Sequence, residues 1–261
     1  MLVVSAIRKT IFTLFLALLV PASAFAIGLQ DFATDVGDGA TIFSGPSNDV
    51  PLGIGSLDSI VVPTGGSSLS NGGNFFTLDS FNVGSAGGVL DVKFLGALGL
   101  FSDDNGFSDR IFLQKVGDGG LIGGQITVLD TLLVDVGFSA VLNLDEGSYV
   151  FGIESPQGTF YSDADLNTAN GNREYMYSQF VDDEGLFTFV EGLGGSKVSS
   201  FLTAGTMIAG FEDLRLRDRL YDGDAQDVIV AFNFTENEIP EPATVFLLGA
   251  GLMGLRRRKR S

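Results

Sequence analysis

The apolar residues of this chain come in runs of five to eight, broken by glycine, serine, asparagine and aspartate, a spacing that favours short strands joined by turns. No long amphipathic helical pattern crosses the middle of the sequence. Strands are predicted over 59–63, 74–78, 89–94, 110–116, 126–133, 138–144, 148–154, 186–190, 206–211 and 228–234. Strands in that number, with regular turns between them, predict an all-β fold, a jelly-roll-like β-sandwich. In the last of them Val228, Val230, Phe232 and Phe234 share one face and Ile229, Ala231 and Asn233 the other, so one face is expected in the core. The 23 phenylalanines, with no Trp and five Tyr, read as core packing rather than as sugar-stacking platforms. The glycine-rich strips 65–73 and 117–124 read as loop tips, because neither opens a helix that would supply an anion site.

The two ends follow different rules. Arg8 and Lys9 precede an apolar run over 11–20, then Pro21 and the small-residue stretch Ala24-Phe25-Ala26, the order of a secretory signal helix that signal peptidase removes after Ala26. The run is about half the ~20 residues a spanning helix needs. At the far end Pro240-Glu241-Pro242 is followed by an apolar stretch, 243–255, and by the basic cluster 256–260. Thirteen residues at ~1.5 Å each cover roughly 20 Å of a ~30 Å hydrocarbon core, so this short transmembrane helix suits a temporary stop, its basic end held in the cytoplasm. The chain therefore divides into a signal at 1–26, an extracytoplasmic β-rich domain at 27–236 and a tail at 237–261.

This ending resembles the PEP-CTERM sorting signal, on Pro240, Glu241, Pro242, Ala243, the Gly249 to Gly254 stretch and the basic cluster in the required order. The resemblance implies an exosortase that acts on the tail, transient anchoring in the inner membrane, and a final place at the cell surface or in the extracellular matrix of a Gram-negative bacterium that makes extracellular polysaccharide. The membrane is then touched only through the tail.

Of 15 basic residues, two leave with the signal and five with the tail, so eight face all 32 acids and residues 27–241 carry a net charge of −24. A field this negative repels nucleic acid and anionic lipid and favours divalent cations. The sequence has neither Cys nor His. That excludes disulfides, thiolate nucleophiles, a Ser-His-Asp triad and His or Cys zinc sites. What is left is carboxylate chemistry and hard-cation binding through oxygen, the ligand type that suits calcium.

The densest acidic stretch is Gly210-Phe211-Glu212-Asp213-Leu214, followed by Asp222, Asp224 and Asp227 around Gly223, and these carboxylates are candidate calcium ligands. The segment resembles the end of an uncharacterised bacterial extracellular family, domain of unknown function 4114. Ala225 and Gln226 stand where that family has an aromatic residue and Asn. Phe160-Tyr161-Ser162-Asp163 with Leu166-Asn167 resembles the family's other signature, and the likeness runs over 148–236. It implies a calcium-binding role and no reaction. Asp163, Asp165, Asn167 and Glu174 also fit positions 1, 3, 5 and 12 of an EF-hand by spacing, but Thr168 occupies the glycine position and no helix flanks the segment. A calcium loop of another kind, bringing Asp163 and Asp165 near Asp222 and Asp224, is the expectation. The acidic turn Asp103, Asp104, Asn105 and Asp109 reads as surface.

The reading is a noncatalytic, exported, calcium-binding surface or matrix protein with extracellular polysaccharide as its candidate partner. A carbohydrate-binding module is one alternative. A carboxylate-pair glycosidase is another, with Glu154, Glu174, Glu184 and Glu191 available.

Overall fold

A computed structural model describes residues 27–38, 61–64, 68–69, 74–96, 109–190, 197–212 and 228–237. Within them the chain is all β apart from single 3-10 turns at Leu29–Phe32, Ala164–Leu166 and Thr168–Asn170. The strands are β1 (Thr34–Asp38), β2 (Val61–Thr64), β3 (Ser68–Leu69), β4 (Asn74–Thr77), β5 (Phe81–Val83), β6 (Gly88–Gly96), β7 (Arg110–Gly117) and β8 (Gly120–Asp130). They continue with β9 (Ser139–Leu144), β10 (Gly147–Ser155), β11 (Gly158–Tyr161), β12 (Met176–Asp183), β13 (Gly185–Val190), β14 (Lys197–Leu202), β15 (Met207–Phe211) and β16 (Val228–Glu236).

Among the described residues the large sheet runs β1-β4-β12-β15-β16-β6-β9, with β3 beside β12. A second sheet runs β11-β10-β7-β8, with β5 on β10. Every pairing is antiparallel. The two sheets face each other across one core, to which the large sheet brings Leu90, Val92, Phe94, Met207, Val230 and Phe232 and the second sheet Phe81, Ile111, Leu113, Phe151 and Ile153. The seam is aromatic: Phe151 lies 4.6 Å from Phe232 and Phe81 lies 5.4 Å from Phe234, centroid to centroid. The fold is thus an all-β sandwich, as the strand pattern predicts.

Among the described residues, nine of the 27 buried in this core are phenylalanines, yet Phe201 and Phe138 remain exposed. In β16 the face of Val228, Val230, Phe232 and Phe234 points into the core as expected. The other face is buried too, through Ile229 and Ala231. A third sheet, β14-β13-β2, has Phe187, Ser200 and Leu202 buried, and the end of its β14 lines one cleft together with Ala231. The glycine strip at 117–124 also differs from a loop tip, since Gly117 ends β7, Asp118-Gly119 make the hairpin turn and Gly120 to Gly124 begin β8.

Candidate functional site

The chain leaves β11 at Tyr161 and reaches β12 through a tight loop over 162–175, and the loop's shape is set by one side chain. Asn167 is buried. Its amide donates to the carbonyls of Tyr161 at 2.8 Å, Arg173 at 2.9 Å and Asp163 at 3.3 Å, and its Oδ1 accepts from the Tyr161 N–H at 2.9 Å. Its own carbonyl accepts from the Asn170 and Asn172 N–H groups. Ser162, equally buried, accepts from the Phe151 N–H and donates to the Asp79 carbonyl, both at 3.2 Å, which ties the loop to the turn between β4 and β5. Asn172 at φ 55° and Gly171 at φ 79° make the left-handed bend that turns the chain toward β12.

Around this framework stand four carboxylates. Asp163 Oδ1 accepts from the Asp165 N–H at 2.9 Å, capping the 3-10 turn, and Asp165 Oδ1 accepts from Asn172 Nδ2 at 3.2 Å. Burial, then the charges of Asp163 and Asp165, raise the Asp79 carboxyl above its ordinary range. Burial, then the charges of Asp79, Asp163 and Asp165, push the Glu174 carboxyl up to about 7. Glu174 Oε2 is buried and has no hydrogen-bond partner. Like charges thus raise the Asp79 and Glu174 carboxyls across this loop. Among the described residues no three acidic side chains converge closely enough to hold a metal ion in this arrangement.

Asp163, Asp165 and Glu174, grouped in the sequence by spacing, are therefore grouped in space. Asn167, which the same spacing treats as a ligand, is instead the loop's internal scaffold, its amide taken up by backbone groups. Asp79 joins from over 80 residues away in sequence, with no local motif to announce it. Asp213, Asp222, Asp224 and Asp227 lie outside the described residues, as do Ala24, Ala26, Pro240, Glu241, Pro242 and the apolar segment 243–255. The chain does pass the site on its way to them: the Glu212 N–H donates to the Tyr175 carbonyl at 3.0 Å, one residue from Glu174. Among the described residues no helix is long and apolar enough to cross a membrane. Of the glutamates a glycosidase would use, Glu154 is ion-paired with Arg110, Glu184 lies exposed after β12, and Glu191 is outside the described residues. Asp109, by contrast with its expected surface place, is buried, its N–H donating to Thr131 Oγ1.

The raised carboxyl of Glu174 has a signed consequence for stability. Between the ordinary value of 4.5 and about 7 the folded protein binds a proton that the unfolded chain releases, so stability falls as pH rises through that window. Because the side chain is partly solvated, the full shift overstates the effect, and a loss of ~2 kcal/mol between pH 4.5 and 8 is expected in chelator. Glu174→Gln should remove most of that slope and be more stable than the wild type at pH 8, with little difference at pH 4.5; urea melts at the two pH values measure it.

Fold and site together make this a β-sandwich domain with an acidic loop between β11 and β12. The tail then says how it travels: residues 238–260 match the PEP-CTERM protein-sorting motif. The chain accordingly carries the tail of an exported protein held transiently in the membrane, and that motif implies an exosortase acting on it. A comparison with curated proteins finds no match. Among solved structures the chain is similar to the C-terminal domain of the BC2L-C lectin from Burkholderia cenocepacia, at 14% identity over 59% of this chain and 93% of that one, with a TM-score of 0.26. At that score the likeness carries no argument about ligand.

Proposed function

We propose that this is a noncatalytic protein of the cell surface or extracellular matrix of a Gram-negative bacterium, associated with exopolysaccharide and stabilised by calcium. Signal peptidase would release it after Ala26 and an exosortase would process the tail at Pro240-Glu241-Pro242. Calcium would be held by Asp163 and Asp165 with Glu174, completed by Asp213, Asp222, Asp224 and Asp227. What supports the reading is that Asp79, Asp163 and Asp165 lie near enough to Glu174 to raise its carboxyl, one oxygen of which is buried without a hydrogen-bond partner.

The chemistry of these donors fits a hard cation, since every one is a carboxylate oxygen and calcium takes 6–8 oxygens at 2.3–2.6 Å. A bound divalent ion would displace the Glu174 proton and offset the repulsion among its neighbours. The likeness of 148–236 to the acidic signature of domain of unknown function 4114 supports the same reading. Isothermal titration of calcium into the purified protein at pH 7 should give a saturable binding that releases protons, seen as a heat that changes with the ionisation enthalpy of the buffer. Heat that is the same in every buffer, or no saturable binding, would remove Glu174 from the ligand set.

A further inference from the structure

On the far side of the large sheet from the core, β6, β9 and β16 present a second face that the third sheet covers only in part. Register places Asn233, Asp91 and Val141 in one row across the three strands, and Ala231, Lys93 and Ser139 in the next. Side chains opposed in this way stand on one face, roughly 5 Å apart. The end of β14 rises beside them and leaves a cleft of about 210 Å³, lined by Asp91, Lys93 and Asn233 on the floor and by Phe201 and Thr203 on the wall. Phe201 is 59% exposed and Val141 62% exposed, unlike the phenylalanines that fill the core. Thr203 Oγ1 is held 3.2 Å from Thr206 Oγ1 and accepts from Asn233 Nδ2 at 3.4 Å, so the polar groups of wall and floor are joined.

We infer that this cleft is a binding subsite for one ring of a neutral polysaccharide, with Phe201 as the stacking face and Asp91, Asn233 and Lys93 as hydroxyl partners. The size decides between ligand classes: drug-sized ligands occupy roughly 300–1,000 Å³, so this space takes a single ring. The lining decides the chemistry. A sugar ring has an apolar C–H face, which suits an exposed aromatic ring, and hydroxyls that both donate and accept. A carboxylate supplies acceptors, an amide supplies both, and an ammonium supplies donors. The cleft holds one charge of each sign while residues 27–241 carry −24, a field that repels anionic glycans and leaves neutral ones as the occupant. The site deepens the association with polysaccharide proposed above, yet it shares no residue with the acidic loop.

Affinity electrophoresis of the purified protein through gels containing dextran, yeast mannan, galactan or alginate tests it, with calcium and with chelator. Retardation by at least one neutral polysaccharide and none by alginate is expected, weakened at least tenfold in Phe201→Ala and in Asp91→Ala. Both side chains are solvent-facing, so the melting temperature should not move, which separates lost binding from lost fold. Retardation by no neutral polysaccharide overturns the inference, as does retardation that both variants retain. Equal binding in chelator would show that the cleft stands even if the calcium reading fails. A concentration-dependent dimer that Phe201→Ala dissolves, without any glycan effect, would reassign the exposed ring to self-association and overturn the glycan site.

Discussion

Phe232→Ala should destabilise the protein by about 3–5 kcal/mol, the largest effect of any single substitution considered. Phe232 sits at the centre of the seam, 4.6 Å from Phe151 of the second sheet and 6.5 Å from Phe211 of its own. It is fully buried, and the neighbours that would have to collapse into the vacated space are themselves rings on hydrogen-bonded strands. Such rings relax poorly, so the lost transfer energy and the cavity term add. For a domain of about 200 residues that corresponds to a melting temperature lower by roughly 10 °C or more. Phe232→Leu should recover more than half of the loss, and denaturant unfolding of the three proteins measures both. A loss below ~1 kcal/mol for alanine would mean that the two sheets do not share this core.

Asn167→Ala should be nearly as damaging, at about 2–4 kcal/mol, although it removes only a small side chain. The amide joins the Tyr161 N–H and carbonyl and the Arg173 carbonyl across the loop, and each buried backbone group left without a partner costs roughly 1–3 kcal/mol. Some of these groups would reach water, which keeps the total below the simple sum. Asn167→Asp separates the two roles. Its carboxylate could still accept from the Tyr161 N–H but no longer donate, and its charge would join those of Asp163, Asp165 and Glu174. Its deficit should be smaller at pH 4.5, where protonation restores a donor and removes the charge, than at pH 8; thermal melts at both values check this.

The strands that the sequence announced are those with several apolar residues in a row or in alternation, and all ten regions so predicted contain a strand. The central strand β12 was not among them. Its Met-Tyr-Ser-Gln-Phe-Val-Asp-Asp sequence shows no period of two, because Ser178 and Gln179 are buried on opposite faces. Ser178 is accommodated by donating to the Phe76 carbonyl of the neighbouring strand, a partner that no local pattern reveals. Short β5 and β11 were missed for a different reason: three or four residues hold too little periodicity to read. In the third sheet β2 and β13 overlap predicted regions and β14 does not, while burial of Ile229 and Ala231 on the second face of β16 adds to the predicted core face.

At the site, the spacing of Asp163, Asp165 and Glu174 is legible because one local loop joins them, and the three lie near enough for the charges of the two aspartates to act on Glu174. The same spacing misassigned Asn167, since an amide that organises backbone and an amide that binds a cation look alike in a sequence. Asp79 depends on the β4–β5 turn meeting the loop through Ser162, a tertiary contact. Phe201 had no distinguishing mark among so many phenylalanines; only its exposure sets it apart.

Calcium dependence of folding bears most directly on the account. Thermal unfolding of the purified protein should be followed in calcium, in magnesium and in chelator, for the wild type, for Asp163→Asn with Glu174→Gln, and for Asp224→Ala with Asp227→Ala. A ligand at a hundred times its dissociation constant stabilises by about 2.7 kcal/mol, so the wild type should melt roughly 5–10 °C higher in calcium than in chelator, with a smaller effect of magnesium. Both double variants should lose most of that increment. A wild-type melting temperature that is the same in calcium and in chelator would contradict the account and leave the acidic loop as a solvated surface.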